Sequence, residues 1–288
     1  MGKLVRMLSA DGAVVVTAVD STDIVNVMQK AHKTSDLASA ALGRLLTAAS
    51  LMGYNLKNDT DTLTLQMRGD GPLGALIAVS DYMGNVRGYV EEPQAQLPLN
   101  KKGKIDVGGG VGKGQLYVIK DMGMKEPYTG LIPLVSGEVA EDITEYYAVS
   151  EQTPTVCALG VLVDRDYSIK YAGGYLLHLL PFTPNEVIDK IEANLEKMDS
   201  ITNMMILGKT PEDFCNMLLE GMEPNILDET VVEYKCRCSK ERMLNGIRSL
   251  PNEDIKELAE DESITVNCRF CGTDYSFSKK ELLKLVKA

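Results

Sequence analysis

An α+β fold is predicted for this 288-residue chain: an N-terminal core of antiparallel sheets with packed helices, a helical linker, and a small C-terminal zinc-binding domain. Three observations carry that prediction. The hydrophobic period changes from helical to alternating between residues 54 and 62. A succession of short strands and tight turns follows. Four cysteines stand in two close pairs near the C-terminus, Cys236-Arg237-Cys238 and Cys268-Arg269-Phe270-Cys271, with 29 residues between the pairs.

Taken in order, Ala13 to Val19 is rich in β-branched residues and predicts a strand. Ser21-Thr22-Asp23 offers N-caps for a helix to about His32, and a second helix runs from after Ser35 to about Tyr54. That second helix is rich in Ala, Gly and Ser and apolar nearly all round, so it belongs inside the core. From Thr62, Leu63, Leu65 and Met67 alternate with Thr64, Gln66 and Arg68, the pattern of a half-buried strand. Gly69 to Gly74 turns the chain. Ala75 to Val79 and Asn85 to Val90 are strands around a turn at Asp81 to Gly84, giving an antiparallel meander.

Residues 103–114 carry six glycines and read as a hairpin or flexible loop. Gly112-Lys113 does not complete a phosphate-binding loop, because Val107 stands where the first glycine is required and Gly114 where Ser or Thr is required. Leu116 to Lys120 and residues 127–135 add strands. Gly137 to Ser150 reads as an amphipathic helix, with Val139, Ile143, Tyr146 and Tyr147 inward and Glu138, Glu141, Asp142 and Glu145 on a solvated face. Val156 to Val163 and Ile169 to Leu180 are the last strands of a core ending near residue 178. His32 and His178 lie outside any motif and take packing or surface roles.

The formal net charge of -11 argues against a general nucleic-acid binder. Its distribution divides the chain. Residues 1–178 hold 16 Lys/Arg against 20 Asp/Glu, residues 179–229 hold 3 against 11, and residues 230–288 hold 11 against 10. The expected parts are a core (1–178), an acidic, conditionally folded helical linker (179–229) and a metal-binding domain (230–288). No stretch approaches 18 consecutive apolar residues, and the first ten residues lack a secretory pattern, so no membrane span and a reducing, cytoplasmic compartment are expected.

In the linker, Thr183-Pro184-Asn185-Glu186 has the form of a capping box with proline at the first helical position. The helix after it places Val187, Ile188, Ile191, Leu195 and Met198 on one face and Glu192, Asn194 and Glu196 on the other. Thr210-Pro211-Glu212-Asp213 starts a second helix, with Phe214, Met217, Leu218 and Leu219 apolar. Helices this short do not stand alone in water, so their apolar faces dock on the core. Net negative charge adds self-repulsion to that weak independence. Cys215, on an apolar helix, reads as a buried thiol.

Four thiolates suit the tetrahedral preference of Zn²⁺, and Cys236, Cys238, Cys268 and Cys271 are its expected ligands, one ion per chain. From the residues alone, a purely structural ribbon and a redox switch that ejects its metal on oxidation stand side by side. A zinc ribbon contacting nucleic acid or a protein is a further alternative, although the tail is nearly neutral and offers few exposed aromatics beyond Phe270, Tyr275 and Phe277. A thiol–disulfide oxidoreductase would need a C-x-x-C near a βαβ pattern, which is absent here.

Tyr234 through Arg242, Val266 through Cys271, and Tyr275-Ser276-Phe277 resemble the redox-switch domain of the heat shock protein 33 family, the 33 kDa chaperonins. Gly71-Pro72-Leu73-Gly74, Tyr128-Thr129-Gly130 and the run from Gly137 to Asp142 through Ser150 to Pro154 resemble that family's N-terminal domain. The resemblance implies a redox-regulated holdase, not an enzyme, that is inactive while reduced and zinc-bound. It implies that oxidants convert the thiolates to the disulfides Cys236–Cys238 and Cys268–Cys271, that zinc leaves, and that tail and linker unfold. The implied partners are unfolding client proteins, held without ATP, and a second copy of the chain in an active dimer. Set against these implications, the linker face of Ile188, Ile191, Leu195 and Phe214 is the candidate apolar surface exposed for clients.

Overall fold

The structure, a computed structural model, describes residues 1–286 and divides into two compact units, Met1–Lys235 and Cys236–Ala288. The first unit begins with β1 (Gly2–Leu8), β2 (Val14–Asp20), α1 (Thr22–His32), α2 (Asp36–Gly53), β3 (Thr62–Gly69), β4 (Ala75–Asp81) and β5 (Val86–Val90). It continues through α3 (Val107–Val111), β6 (Gly114–Asp121), β7 (Tyr128–Pro133), α4 (Ala140–Tyr146), β8 (Thr155–Val163) and β9 (Ile169–Leu179). Three helices, α5 (Asn185–Leu195), α6 (Ile201–Ile206) and α7 (Pro211–Leu218), lead to β10 (Asn225–Val232). The mixture of helices with antiparallel sheets is the predicted α+β class.

Two five-stranded antiparallel sheets result, in the orders β10-β1-β2-β9-β8 and β5-β4-β3-β6-β7. Helix α2 lies between them and packs on strands of both. Every residue of α2 except Asp36 and Arg44 is buried, as its apolar circumference requires. Its start is fixed by Ser35, whose hydroxyl accepts from the Ala38 amide at 3.1 Å. Its small residues allow the close approach: a Cβ on Gly53 would stand 2.1 Å from Ser80 Oγ.

The opposite face of the first sheet is covered by α5, α6 and α7. Val5, Met7, Val14, Val16, Ala18, Tyr175 and Leu177 pack there against Val187, Ile191, Ile201, Met204, Phe214 and Leu218. Thr210 and Asp213 form the expected capping box of α7. At α5 the predicted box does not form. The Thr183 hydroxyl instead donates to the carbonyls of Ala13 at 3.0 Å and Leu180 at 2.7 Å, tying the start of the segment to the sheet. Asn194 also departs from its expected solvated face. It is buried, and its Nδ2 donates to the carbonyls of Leu218 and Glu220, which closes the open C-terminal end of α7 onto α5.

In the first unit, β1, β10 and α3 went unpredicted. β1 lacks clean alternation because it is buried on both faces, with Leu4 toward α2 and Val5 and Met7 under α7. β10 is mostly exposed, and Ile226, Leu227 and Val231 face solvent without a clean alternation; it is a sheet edge held by pairing with β1, and it lies across the boundary expected at 229/230. The glycine-rich stretch, expected as a loop, contains α3. Asp106 caps it by accepting from the Gly109 amide at 3.1 Å. Gly110 is needed because a Cβ there would stand 2.9 Å from both Leu37 and Leu73, and Gly112 ends the helix at φ +75°.

In α4, Asp142 is not on the solvated face. Its carboxylate is fully buried and accepts from the amides of Val135, Ser136, Gly137 and Val139, organising the turn ahead of the helix. The helix then widens into a π-turn, Tyr147–Glu151. Lys120 Nζ pairs with Glu151 Oε1 at 2.7 Å, and the Tyr146 hydroxyl donates to the same carboxylate. Burial pushes Glu151 upward, but these partners outweigh it and hold its carboxyl below the ordinary value.

His178 sits beside this cluster, with the Tyr147 ring 4.6 Å from its own and Thr155 Oγ1 2.9 Å from Nδ1. Burial, with help from the Arg6 and Lys120 charges and against Glu151, lowers its pKa to about 4. The folded state therefore binds fewer protons than the unfolded one between about pH 6.5 and 4. Stability from this group is complete above about pH 6.5 and is lost as pH falls through that window. By pH 4.5 the loss is roughly 2–3 kcal/mol, taking 1.36 kcal/mol per pKa unit. The fall in urea midpoint between pH 7.5 and 4.5 should accordingly be smaller in His178→Gln than in the parent. Equal falls in both proteins would contradict it.

The second unit contains α8 (Lys240–Arg248), α9 (Asn252–Leu258), β11 (Ser263–Asn267), β12 (Asp274–Ser278) and α10 (Lys279–Leu283). β11 and β12 form an antiparallel hairpin. Its core is small: Ile247, Ile255, Ala259, Phe277, Leu282 and Leu285. Among the described residues no helix is long and apolar enough to cross a membrane.

Candidate metal centre

Cys236 and Cys238 lie in extended chain ahead of α8, which Ser239 caps by accepting from the Arg242 amide. Cys268 and Cys271 lie in the tight turn between β11 and β12. There the Cys268 carbonyl accepts from the amides of Cys271 at 3.2 Å and Gly272 at 2.8 Å, and its own amide donates to the Thr273 carbonyl at 2.9 Å. Gly272 takes φ +70°, the left-handed conformation that closes such a knuckle. One pair is thus held by a hairpin turn and the other by a helix start.

The four Sγ atoms all lie within 4.8 Å of one another. Cys236 and Cys268 stand 3.7 Å apart, and Cys238 and Cys271 stand 3.4 Å apart. A tetrahedron with metal–sulfur bonds of about 2.3 Å has edges of about 3.8 Å, so the cluster is of the size that Zn²⁺ requires. Four protein sulfurs fill the coordination sphere, the closed arrangement of a structural site. Thiolate softness favours zinc over Mg²⁺ or Ca²⁺. The four residues expected as ligands are therefore brought together, and they could hold one metal ion.

The electrostatics are those of sulfurs crowded together. Burial, reinforced by neighbouring sulfurs, pushes Cys236 well above the ordinary thiol value, and burial raises Cys268 as well. At Cys271 desolvation also acts upward, but bonds to Thr273 and the adjacent sulfurs outweigh it and bring the thiol down to about 7. Without a cation, burial thus disfavours ionisation at Cys236 and Cys268, and of these three sulfurs Cys271 ionises most readily. A bound cation reverses this, since coordinated thiols are deprotonated.

Two contacts around the sulfurs were not read from the sequence. Tyr275, on β12, donates its hydroxyl to Cys238 Sγ at 3.1 Å, and Cys271 Sγ is hydrogen-bonded to Thr273 Oγ1 at 3.2 Å. The hydrogen bond to Cys238 pushes the Tyr275 phenol up to about 12. A signal for Tyr275 was present. Tyr275 and Phe277 alternate on one face of a short strand directly after the C-x-x-C turn. Phe277 differs from expectation: it is fully buried in the unit's core, so it offers no face to a nucleic-acid base.

The linker residues are placed as a docked surface. Ile191 and Phe214 are buried against the first sheet, and Ile188 and Leu195 are half-buried on α5. The remaining cysteines stand apart from the cluster. Cys157 and Cys215 are pushed up to about 12 by burial, which keeps both as unreactive thiols at neutral pH.

A family model described as Hsp33 protein matches residues 2–278. The chain is 45% identical over 286 residues to a 33 kDa chaperonin of Clostridioides difficile, covering 99% of this chain and 98% of that one. It is 43% identical over 285 residues to a 33 kDa chaperonin of Acetivibrio thermocellus, covering 99% and 96%. A crystal structure of the 33 kDa chaperonin, a heat shock protein 33 homolog, from Thermotoga maritima superposes with a TM-score of 0.92 at 34% identity, covering 99% of this chain and 97% of that one.

Proposed function

The chain belongs to the Hsp33 family, and from that premise we propose that it is a redox-regulated, ATP-independent holdase chaperone, not an enzyme, acting in the cytoplasm. The observation that carries this reading is the cluster of four sulfurs within 4.8 Å inside a unit whose apolar core is only a handful of residues. When bound there, Zn²⁺ would keep the sulfurs as thiolates and cross-link the start of the unit to its β11–β12 turn, with a binding free energy of about 10–16 kcal/mol that is also folding free energy.

Cys236, Cys238, Cys268 and Cys271 act as the sensor. Oxidation of their thiolates to Cys236–Cys238 and Cys268–Cys271 consumes the donors, frees the metal and leaves the tail without its main source of stability. All four sulfurs are within reach of one another, so the cross-paired alternative is also accessible, and non-reducing peptide mapping distinguishes the two. Loss of order then passes along the chain. Lys235, adjacent to Cys236, is anchored by its amide to the Val86 carbonyl at 2.7 Å, and Val86 in turn donates to the Glu233 carbonyl. Freed from that anchor, residues 179–229, eleven acids against three bases, would leave the sheet and expose Ile188, Ile191, Leu195 and Phe214. The proposed partners are unfolding proteins and a second copy of the chain in the active state.

Zinc content, free-thiol count and suppression of thermal aggregation, followed together during peroxide treatment at elevated temperature, test the reading. Zinc and thiols should fall as protection rises, and reduction with zinc present should reverse all three. A protein that loses its zinc and unfolds its tail yet protects no client overturns it.

A further inference from the structure

We propose that the outer edge of β8 binds an extended polypeptide segment as an added strand, with an acidic side chain of that segment over Lys104. The site lies wholly within the first unit and is built while the linker is docked, so it does not rest on the sensor reading.

β8 ends its sheet, and one side of its backbone has no neighbouring strand. The register fixes which groups face that side. The Leu179 amide donates to the Pro154 carbonyl at 3.0 Å. Bonding residues alternate along an antiparallel pair, so Val156, Ala158 and Gly160 also turn their N–H and C=O groups to β9. The residues between them turn outward. Cys157 has this phase, since its amide donates to Thr144 Oγ1 on α4 at 3.3 Å. Leu159 and Val161 follow, and their outward N–H and C=O groups have no hydrogen-bond partner among the described residues.

This edge differs from the other end of the same sheet. β10 is mostly exposed, whereas β8 is half-buried or buried throughout. The β8 edge is the floor of a groove of about 370 Å³. Helix α2 supplies one wall through Ala40 and Arg44, α6 supplies another through Ile201 and Thr202, and residues 99–105 form the lip. Gly160 lets α6 come close, because a Cβ there would stand 2.9 Å from Ile201. Unpaired backbone groups at every second residue along such a floor match the alternating groups of an extended chain.

Charge selects the segment. In a chain of net charge -11, this groove is lined by two cations, Arg44 and Lys104, and by no acid. Arg44 is paired with Glu138, while Lys104 makes no ion pair among the described residues. Lys104 is therefore the group that meets an acidic side chain.

The test uses the full-length, reduced, zinc-loaded protein and the blocked peptide acetyl-Thr-Val-Glu-Val-Thr-Val-amide. Amide exchange at single-residue resolution locates binding. In the free protein the Leu159 and Val161 amides should exchange fast and those of Ala158 and Gly160 slowly. Peptide at about ten times its Kd should slow the first two about tenfold. Calorimetric titration then compares peptides. N-methylation of alternate residues in one phase should weaken binding about threefold to tenfold per lost bond, and in the other phase should leave it unchanged. Glutamine in place of glutamate should weaken it about tenfold, and Lys104→Glu should abolish that preference with no change in thermal melting. Absence of binding overturns the proposal, as does binding that leaves Leu159 and Val161 unprotected. Equal losses in both methylation phases, or a glutamate preference kept by Lys104→Glu, also overturn it. So does slow exchange of both amides without peptide; protection that grows with protein concentration would assign the edge to a second copy of the chain. None of these readouts involves an oxidant or a client, so failure of the sensor reading leaves them unchanged.

Discussion

Replacing Cys268 by serine is expected to cost the C-terminal unit both its metal and its fold. Cys268 is the one buried sulfur of the four, and its backbone makes three of the hydrogen bonds that close the turn. Serine preserves those bonds, so the change isolates the sulfur. A three-thiolate site loses much of the roughly 10–16 kcal/mol that a structural zinc contributes. The unit spans residues 236–288, below the size at which one hydrophobic core is ordinarily sufficient, and its buried cluster cannot replace the loss. Zinc content after dialysis should fall from about one ion per chain to near zero. Amide exchange across 236–286 should become fast, while the strands around α2 stay protected. On the sensor reading, the reduced variant should also protect clients without any oxidant. Retention of stoichiometric zinc with a protected tail would refute the expectation.

Phe214→Ala is expected to release the linker while the metal stays in place. The Phe214 ring is fully buried where α7 meets β1 and β2, and truncating such a side chain costs about 3–5 kcal/mol. Helix α7 spans Pro211–Leu218 and cannot persist alone, so losing its docking means losing the helix. Asn194, which bonds the carbonyls of Leu218 and Glu220, should loosen with it and carry α5 away. Limited proteolysis should cut between residues 185 and 222 in the reduced variant, and aggregation assays should show protection at full zinc occupancy. Phe182→Ala serves as the control, because that ring is fully exposed in the same segment and its loss should change neither readout. A variant that resists protease as well as the parent does would show that the linker is not poised near release.

Much of this was legible in the sequence because local chemistry and tertiary position agreed. Helix α2 announces its burial through an apolar circumference, and β3 announces its half-buried state through alternation. The four cysteines were legible because metal ligation demands particular side chains at close spacing. What stayed hidden was set by distant partners. β1 and β10 have weak patterns of their own; β10 is a strand because it pairs with β1, and β1 because it is held between β10 and β2. Asp142 and Asn194 look like solvated residues on helical wheels, yet each is turned inward by backbone groups that need a partner. The Thr183 box fails because its hydroxyl finds carbonyls of the preceding turn and of Ala13 instead of the helix start. Tyr275 is ordinary as a strand residue and becomes part of the centre only through a sulfur from the other cysteine pair.

The pairing of β1 with β10 also governs how the molecule assembles during synthesis. Gly2 faces Val232, so the first strand of the unit lies beside its last. β1 is not an edge strand; it stands between β10 and β2. The first sheet is therefore incomplete until residue 232 has left the ribosome, only four residues before Cys236. Contacts of such long sequence separation form late and slowly, since loop closure must precede any reward from them. A nascent chain therefore finishes its main unit and begins its cysteine-bearing tail at almost the same moment. Until then the outer edge of β1 stays open, and exposed edges of this kind pair with other chains.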